Sequence, residues 1–143
     1  VNAIWDERKA IENKDKHVSA LDGVAMALPA LLRAEKLVKK AGKVGFKWPD
    51  IEGVLDKLAE EILELKEAST PETMEEEFGD ILFVLANYAQ RNGINAETAL
   101  RKANDKFVRR FKGMESDLQV KNKRMSDCNL SELLDLWKKQ KKK

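Results

Sequence analysis

Two groups of acidic residues are the part of this sequence that could do chemistry. The first is Glu60-Glu61-Ile62-Leu63-Glu64, and the second, a short distance further on, is Glu77-Phe78-Gly79-Asp80. Both lie in segments with helical periodicity, and acids three or four positions apart on a helix lie side by side about one turn apart. Carboxylates from two neighbouring helices could together hold a divalent metal ion.

The alternative is that these acids belong to two solvated helix faces, because Glu is common on exposed helices. Asp80 favours the metal hypothesis, since it interrupts a segment, residues 78–89, that is apolar almost all round and is expected to be central and buried. A buried aspartate without a partner is costly, so Asp80 is expected to need a cation. Oxygen ligands without a nearby histidine favour Mg²⁺, with Mn²⁺ as the alternative, over zinc.

The elements that must position these acids are two helices joined by a short turn, which should pack antiparallel. The first is predicted from a cap at Asp50 to about residue 68, with Glu61 at the rim of its apolar stripe and Glu64 about 60° further round. Lys57 lies on the same flank, one turn earlier. The second helix is predicted to begin after a Thr70 cap, and a spacing of seven places Asn87 on the same face as Asp80.

Basic and aromatic residues nearer the C-terminus could contact phosphates and a base. Lys106 and Arg110 are four residues apart on one edge of a helix, Trp137 offers a ring for stacking, and Lys141 follows it. Each also has a simpler interpretation: the two bases could cover apolar surface with their stems, Trp137 could be a core residue, and the terminal lysines could serve solubility. A third use of the lysine run, as a nucleic-acid tail, is disfavoured by its shortness and by the acidic remainder of the chain.

Composition sets the broad class of the protein. In 143 residues, 27 Lys+Arg nearly balance 25 Asp+Glu, and only three prolines occur, which fits a helix-rich domain. A single cysteine, Cys128, excludes an internal disulfide and is typical of a reducing compartment, so the cytoplasm is expected. No apolar run approaches a membrane span. The only histidine, His17, lies far from the acids, which argues against a di-iron bundle.

With these residues in place, the sequence resembles the all-α nucleoside triphosphate pyrophosphohydrolases, within them the MazG group, and in particular the C-terminal domain of two-domain MazG. The similarity runs through residues 20–48, then KLAEEILEL, EEEFGDILF, residues 100–111 and the closing LWKKQK. The resemblance implies an all-α helical bundle built on the two acidic helices. It also implies Mg²⁺-dependent hydrolysis of a nucleoside triphosphate between the α and β phosphates, releasing the monophosphate and pyrophosphate.

Residue roles follow from the same resemblance. It implies Glu61, Glu64, Glu77 and Asp80 as metal ligands, with Glu60 and Glu76 as spare acids beside them and no general base assigned. Residues that match nucleotide-contacting positions are Lys57, Asn87, Lys106, Arg110, Trp137 and Lys141. The family forms dimers, so a homodimer is expected. A non-catalytic helical module that binds a nucleotide or a protein is the alternative function.

The N-terminal residues are interpreted as a separate element. Trp5 and Lys9 echo Trp137 and Lys141 in type and spacing, and in two-domain members of the family each domain ends in such a helix. Residues 1–16 are therefore predicted to be a linker helix, the tail of a preceding first domain, and residues 17–143 to be the pyrophosphohydrolase domain.

Overall fold

The computed structural model describes residues 2–13 and 19–143. Within these ranges the chain forms α-helices, one short 3₁₀ helix at Met125–Asp127 and no strand, which confirms the all-α prediction. The helices are α1 (Asn2–Asn13), α2 (Ala30–Lys43), α3 (Ile51–Glu67), α4 (Pro71–Arg91), α5 (Ala96–Val120) and α6 (Leu130–Lys141). None of these helices is long and apolar enough to cross a membrane.

The described chain divides into two compact units, one ending at Glu97 and the other covering Thr98–Lys143. The predicted boundary between residues 16 and 17 lies outside the described residues, as does His17, and so does the side chain of Lys9. Residues 2–13 form the predicted N-terminal helix, on which Ile4 and Trp5 are exposed. The assignment of this helix to a preceding domain stays a prediction.

In the first unit α4 packs against both α2 and α3. The Asp50 carboxylate caps α3 by accepting a hydrogen bond from the backbone N–H of Gly53, and Thr70 caps α4 by accepting one from Thr73. Both caps were predicted, and each satisfies a backbone donor that the first turn of a helix leaves free. Only residues 68–70 separate α3 from α4, so the two helices run antiparallel and carry their acids side by side.

The start of α2 and the burial of α4 differ from expectation. The helical period of the leucines after Met26 predicts a helix from about Met26 to Ala41, but α2 begins at Ala30. The helix cannot begin earlier because Pro29 disfavours helical backbone at the residue before it. α4 buries Val84, Ala86, Asn87 and Ala89 but exposes other apolar side chains, among them Phe78 and Leu82. The prediction that this helix is buried all round is therefore wrong for the single chain, since α2 and α3 cover only part of its circumference.

The second unit has a small core between α5 and α6. Met114, Leu118 and Leu136 are buried there, and Trp137 packs against them. Gln140 is also buried and donates a hydrogen bond of 2.7 Å to the Asp117 carboxylate. These contacts fix the angular position of α6 and hence the side of the helix on which Trp137 lies.

Candidate metal centre

Three carboxylates from the two acidic helices converge on one point. Glu61 on α3 and Glu77 and Asp80 on α4 each offer an oxygen atom, and these atoms all lie within 4.8 Å of one another. Glu77 and Asp80 are three residues apart and therefore share a face of α4. Three oxygens at this spacing could contact a single cation.

The burial of these acids is graded. Glu61 is 5% exposed, Glu77 is half-buried and Asp80 is exposed. The expectation that Asp80 is the buried acid of the group is therefore wrong, because the side of α4 that carries it lies open to solvent. The buried acid is Glu61, which the sequence placed only at the rim of its stripe. This arrangement gives the group one closed side and one side that a substrate could reach.

Two oxygens in the group lack a protein partner. Oε2 of Glu61 and Oε2 of Glu77 are buried, and neither accepts a hydrogen bond from the described part of the chain. A buried carboxylate oxygen without a donor or a cation is costly. A divalent metal ion in the group would satisfy both atoms, and a set made only of carboxylates suits Mg²⁺ or Mn²⁺.

The pKa values of the acids reflect this crowding. Burial raises the pKa of Glu77 to about 7, and the neighbouring Glu61 and Glu64 carboxylates add to the shift. The pKa of Glu64 is raised as well, first by its hydrogen bonding with Glu61 and then by the charge of Glu61. Glu64 thus lies beside the three converging oxygens, one turn from Glu61. Each of these two carboxyls therefore keeps its proton to a higher pH than an isolated glutamate does.

Lys57 partly neutralises the group. Its Nζ lies 2.9 Å from Oε1 of Glu61 and 3.5 Å from Oε1 of Glu60. Hydrogen bonding to Lys57 lowers the pKa of Glu61, and the same bond raises the pKa of Lys57. Glu61 is therefore ionised while Glu77 holds a proton more readily. Glu60 is exposed, and Glu76 is exposed too.

Asn87 lies two turns after Asp80 on α4, as the spacing predicted, but it is buried at 9% exposure. The two residues share a side of the helix, and that side is covered toward the C-terminal end of α4 and open toward the acids.

The remaining predicted contacts lie in the second unit. The Arg110 guanidinium carbon is 5.5 Å from the centre of the Trp137 ring, within the range of a cation–π contact. Lys106 and Lys141 are exposed. The structure thus places the Arg110 side chain against the Trp137 ring within the second unit.

Phe107 was not singled out from the sequence as a site residue. Its ring centre lies 5.5 Å from that of Trp137 and 6.0 Å from that of Phe111, and more than half of its surface is exposed. The sequence predicts an apolar stripe on this helix, and Phe107 is one member of it, with Leu100, Ala103, Phe111, Met114 and Leu118. The spacing of four residues, next to Lys106 and Arg110, was the signal for an exposed aromatic platform.

The chain is similar to known proteins over the two acidic helices and beyond them. A family model described as MazG nucleotide pyrophosphohydrolase domain matches residues 50–114, which span α3, α4 and most of α5. A protein named nucleoside triphosphate pyrophosphohydrolase/pyrophosphatase MazG, from Thermotoga maritima, is 40% identical over 137 residues, covering 96% of this chain and 54% of that relative. A nucleoside triphosphate pyrophosphohydrolase of Escherichia coli K12 is 38% identical over 148 residues, covering 99% of this chain and 56% of that relative.

A third relative, named uncharacterized protein YabN, from Bacillus subtilis, is 40% identical over 141 residues, covering 96% of this chain and 29% of its own length. The chain spans about half the length of the first two relatives. These matches confirm the resemblance to the MazG group that the acidic pattern indicated.

Proposed function

We propose that this chain, which resembles MazG-type pyrophosphohydrolases over nearly its whole length, hydrolyses nucleoside triphosphates to the monophosphate and pyrophosphate. The observation that carries the proposal is the convergence of Glu61, Glu77 and Asp80, with partnerless buried oxygens on two of them. The names of the relatives supply the reaction and the substrate class. The whole relatives are longer, so the activity is proposed for this chain as a catalytic domain.

The metal ligands are Glu61, Glu77 and Asp80, with Glu64 completing the set beside them. Mg²⁺ fits this set best and Mn²⁺ is the alternative, since both prefer oxygen ligands. When bound, the metal neutralises phosphate charge and lowers the pKa of a coordinated water. The exposed position of Asp80 leaves an open side for substrate oxygens.

The chain's own bases and acids have distinct tasks in this proposal. Lys57 is held by Glu60 and Glu61, so it is positioned to offer a positive charge where the phosphates meet the acids. Lys106, Arg110 and Lys141 provide charge that stabilises the leaving pyrophosphate. Glu60 and Glu76, which are not among the proposed metal ligands, are the candidate acceptors of a proton from the attacking water. Asn87, a neutral donor and acceptor, is a contact for the nucleotide.

Trp137 and Phe107 form the proposed platform for the base. Their rings lie against one another with more than half of Phe107 exposed, and stacking on aromatic rings tolerates any base. Broad acceptance of nucleobases is expected on this account.

A homodimer is part of the proposal. Leu55 and Ile62 on α3, seven residues apart, are each about two-fifths exposed. Phe78, Leu82 and Leu85 on α4 follow a spacing of four and three and are also exposed. Apolar faces of this kind mark surfaces that a partner covers. The cytoplasm remains the expected compartment.

The experiment that tests the function is pyrophosphate release from a panel of ribo- and deoxyribonucleoside triphosphates with Mg²⁺. We expect release from at least one triphosphate and none in excess chelator. Metal binding without release of pyrophosphate from any triphosphate would contradict the enzymatic proposal and favour the non-catalytic module. The costly burial of the Glu61 carboxylate argues against that module.

A further inference from the structure

A cavity in the first unit, separate from the candidate metal centre, is lined by lysine side chains. Its volume is about 390 Å³, within the range of small-molecule sites. Val24, Ala25 and Leu28 give it an apolar side, from the segment that precedes α2, and α2 supplies Lys36, Lys39, Lys40 and Lys43. None of the acids of the candidate metal centre lines it.

The four lysines form one face of α2. Their positions are separated by three, one and three residues, so successive turns bring them together. In the described part of the chain, none of them forms an ion pair. Lys40 differs from the other three lysines because its Nζ donates a hydrogen bond of 2.5 Å to the backbone carbonyl of Asp22. That bond ties the preceding segment to α2 and so shapes the cavity.

The one acid on α2 is committed elsewhere. The Glu35 carboxylate accepts a hydrogen bond of 2.5 Å from the backbone N–H of Ala96, at the start of α5. Lys36 and Lys39 also line a neighbouring depression of about 300 Å³ together with Glu35 and Asn95. The lysine face therefore borders both cavities. Its positive charges repel one another until an anion binds.

We propose that this lysine-lined cavity binds a small ligand that carries two or more phosphate groups, without a metal ion. Lysine ammonium groups bind phosphate as compact point charges, and several of them on one face suit a chain of phosphates better than a single carboxylate. The apolar side formed by Val24, Ala25 and Leu28 can receive a ring attached to those phosphates. The ligand's source, an inorganic or a nucleoside polyphosphate, is distinguished by the experiment.

The experiment is isothermal titration in excess EDTA with two probes, inorganic tripolyphosphate and ATP. Chelation removes the metal on which the proposed hydrolytic site depends, so the result stands apart from the proposed function. The test variant is K36A/K39A/K43A, which leaves Lys40 and its loop contact intact. The control variant is K112A/K121A/K139A, which removes the same charge from exposed lysines of the second unit.

We expect one equivalent of probe to bind per chain and the affinity to fall by about tenfold or more in the test variant, since each exposed contact contributes modestly. The control variant should bind as the wild type does, and K36R/K39R/K43R should keep the affinity because it keeps the charge. Tighter binding of ATP than of tripolyphosphate would assign a nucleoside ligand, and equal binding an inorganic one.

The proposal would be overturned by no binding in EDTA, by equal loss of affinity in the test and control variants, or by the same loss in the arginine variant. A single-stranded oligonucleotide that displaces the probe at far lower concentration would also overturn it, since the face would then serve a macromolecule. Circular dichroism of each variant checks that its overall helix content matches that of the wild type.

Discussion

Among the acids of the candidate metal centre, Glu61 is the one whose negative charge is most buried. It is buried, one of its oxygens contacts Lys57, and the other has no partner among the described residues. Asp80, in contrast, reaches solvent. In the proposed metal site the two ends of the group therefore have different tasks: Glu61 would anchor the cation on the closed side, and Asp80 would hold it on the side that faces solvent.

The first prediction concerns this anchor. Glu61→Gln removes the ionised oxygen but keeps the shape, and we expect pyrophosphate release to fall by more than about 100-fold, since even groups that only orient metal ligands cost 10- to 100-fold when lost. Mg²⁺ affinity should fall in parallel, measured by isothermal titration. Glu75→Gln, an exposed acid on α4, is the control and should match the wild type. Equal rates in both variants would reject Glu61 as a ligand.

A second prediction follows from the raised pKa of Glu77, about 7 against an ordinary 4.5. Between these two values the folded chain holds a proton that the unfolded chain has lost, so the free energy of unfolding should fall as pH rises through this range. Urea unfolding of metal-free protein at pH 5 and pH 7.5 measures the change. Excess Mg²⁺ should stabilise the protein most at the higher pH, because metal binding displaces that proton.

Glu77→Gln is the matched control for the pH dependence. The variant has no carboxyl to titrate at this position, so its stability should change less between the two pH values than that of the wild type. Identical changes in the two proteins would show that Glu77 does not carry the effect.

For single residues, the sequence predicted which side chains come together better than it predicted how buried each one is. Spacing indicated that Glu61, Glu77 and Asp80 lie on facing sides of two helices, and their oxygens do converge. Spacing alone could not say which acid is buried, because burial depends on how much of each helix its neighbours cover. For the same reason Phe107 passed as an ordinary stripe residue.

Among the elements, α3 shows how a single glycine lets a loop aromatic pack on a helix. A Cβ built at Gly53 would collide with Cδ1 of the Trp48 ring, and Arg91 donates a hydrogen bond to the Trp48 carbonyl. Trp48, in the loop before α3, is therefore held both by the packing of its ring on Gly53 and by the hydrogen bond to its backbone carbonyl. This contact helps to fix the helix that carries Glu61.

The third prediction compares two glycines in helices. Gly53→Ala should destabilise the protein by about 1–3 kcal/mol, because the added methyl group collides with the Trp48 ring. Gly79→Ala, on α4, meets nothing within 4 Å and should stabilise by about 0.5–1 kcal/mol through helix propensity. Thermal or urea unfolding measures both. A stabilised Gly53→Ala variant would mean that the ring moves away freely.

Helix boundaries were predicted where local chemistry decides them. Asp50 and Thr70 accept hydrogen bonds from the first turns of α3 and α4 as expected. The start of α2 was misplaced because the apolar period through Leu28 continues past Pro29, whose effect on the preceding residue stops the helix there.

At the scale of the whole molecule, the apolar surface on α3 and α4 is not covered by the rest of the described chain. Leu82 is 39% exposed and shares its face with Phe78 and Leu85. The sequence predicted a buried helix from this composition, and a second copy of the chain would supply the cover that one chain lacks. Periodicity records which side chains need burial but not whether the same chain or a partner provides it.

The fourth prediction tests that cover. Leu82→Glu places a charge in the apolar face and should shift the protein from dimer to monomer in sedimentation equilibrium, because burying an unpaired carboxylate at an interface is costly. Leu63→Glu is the control, since Leu63 is 58% exposed and lies 100° from Ile62 on α3, so the dimer should persist. A wild-type protein that sediments as a monomer would contradict the homodimer, and the exposed face of α4 would then have to serve a different partner.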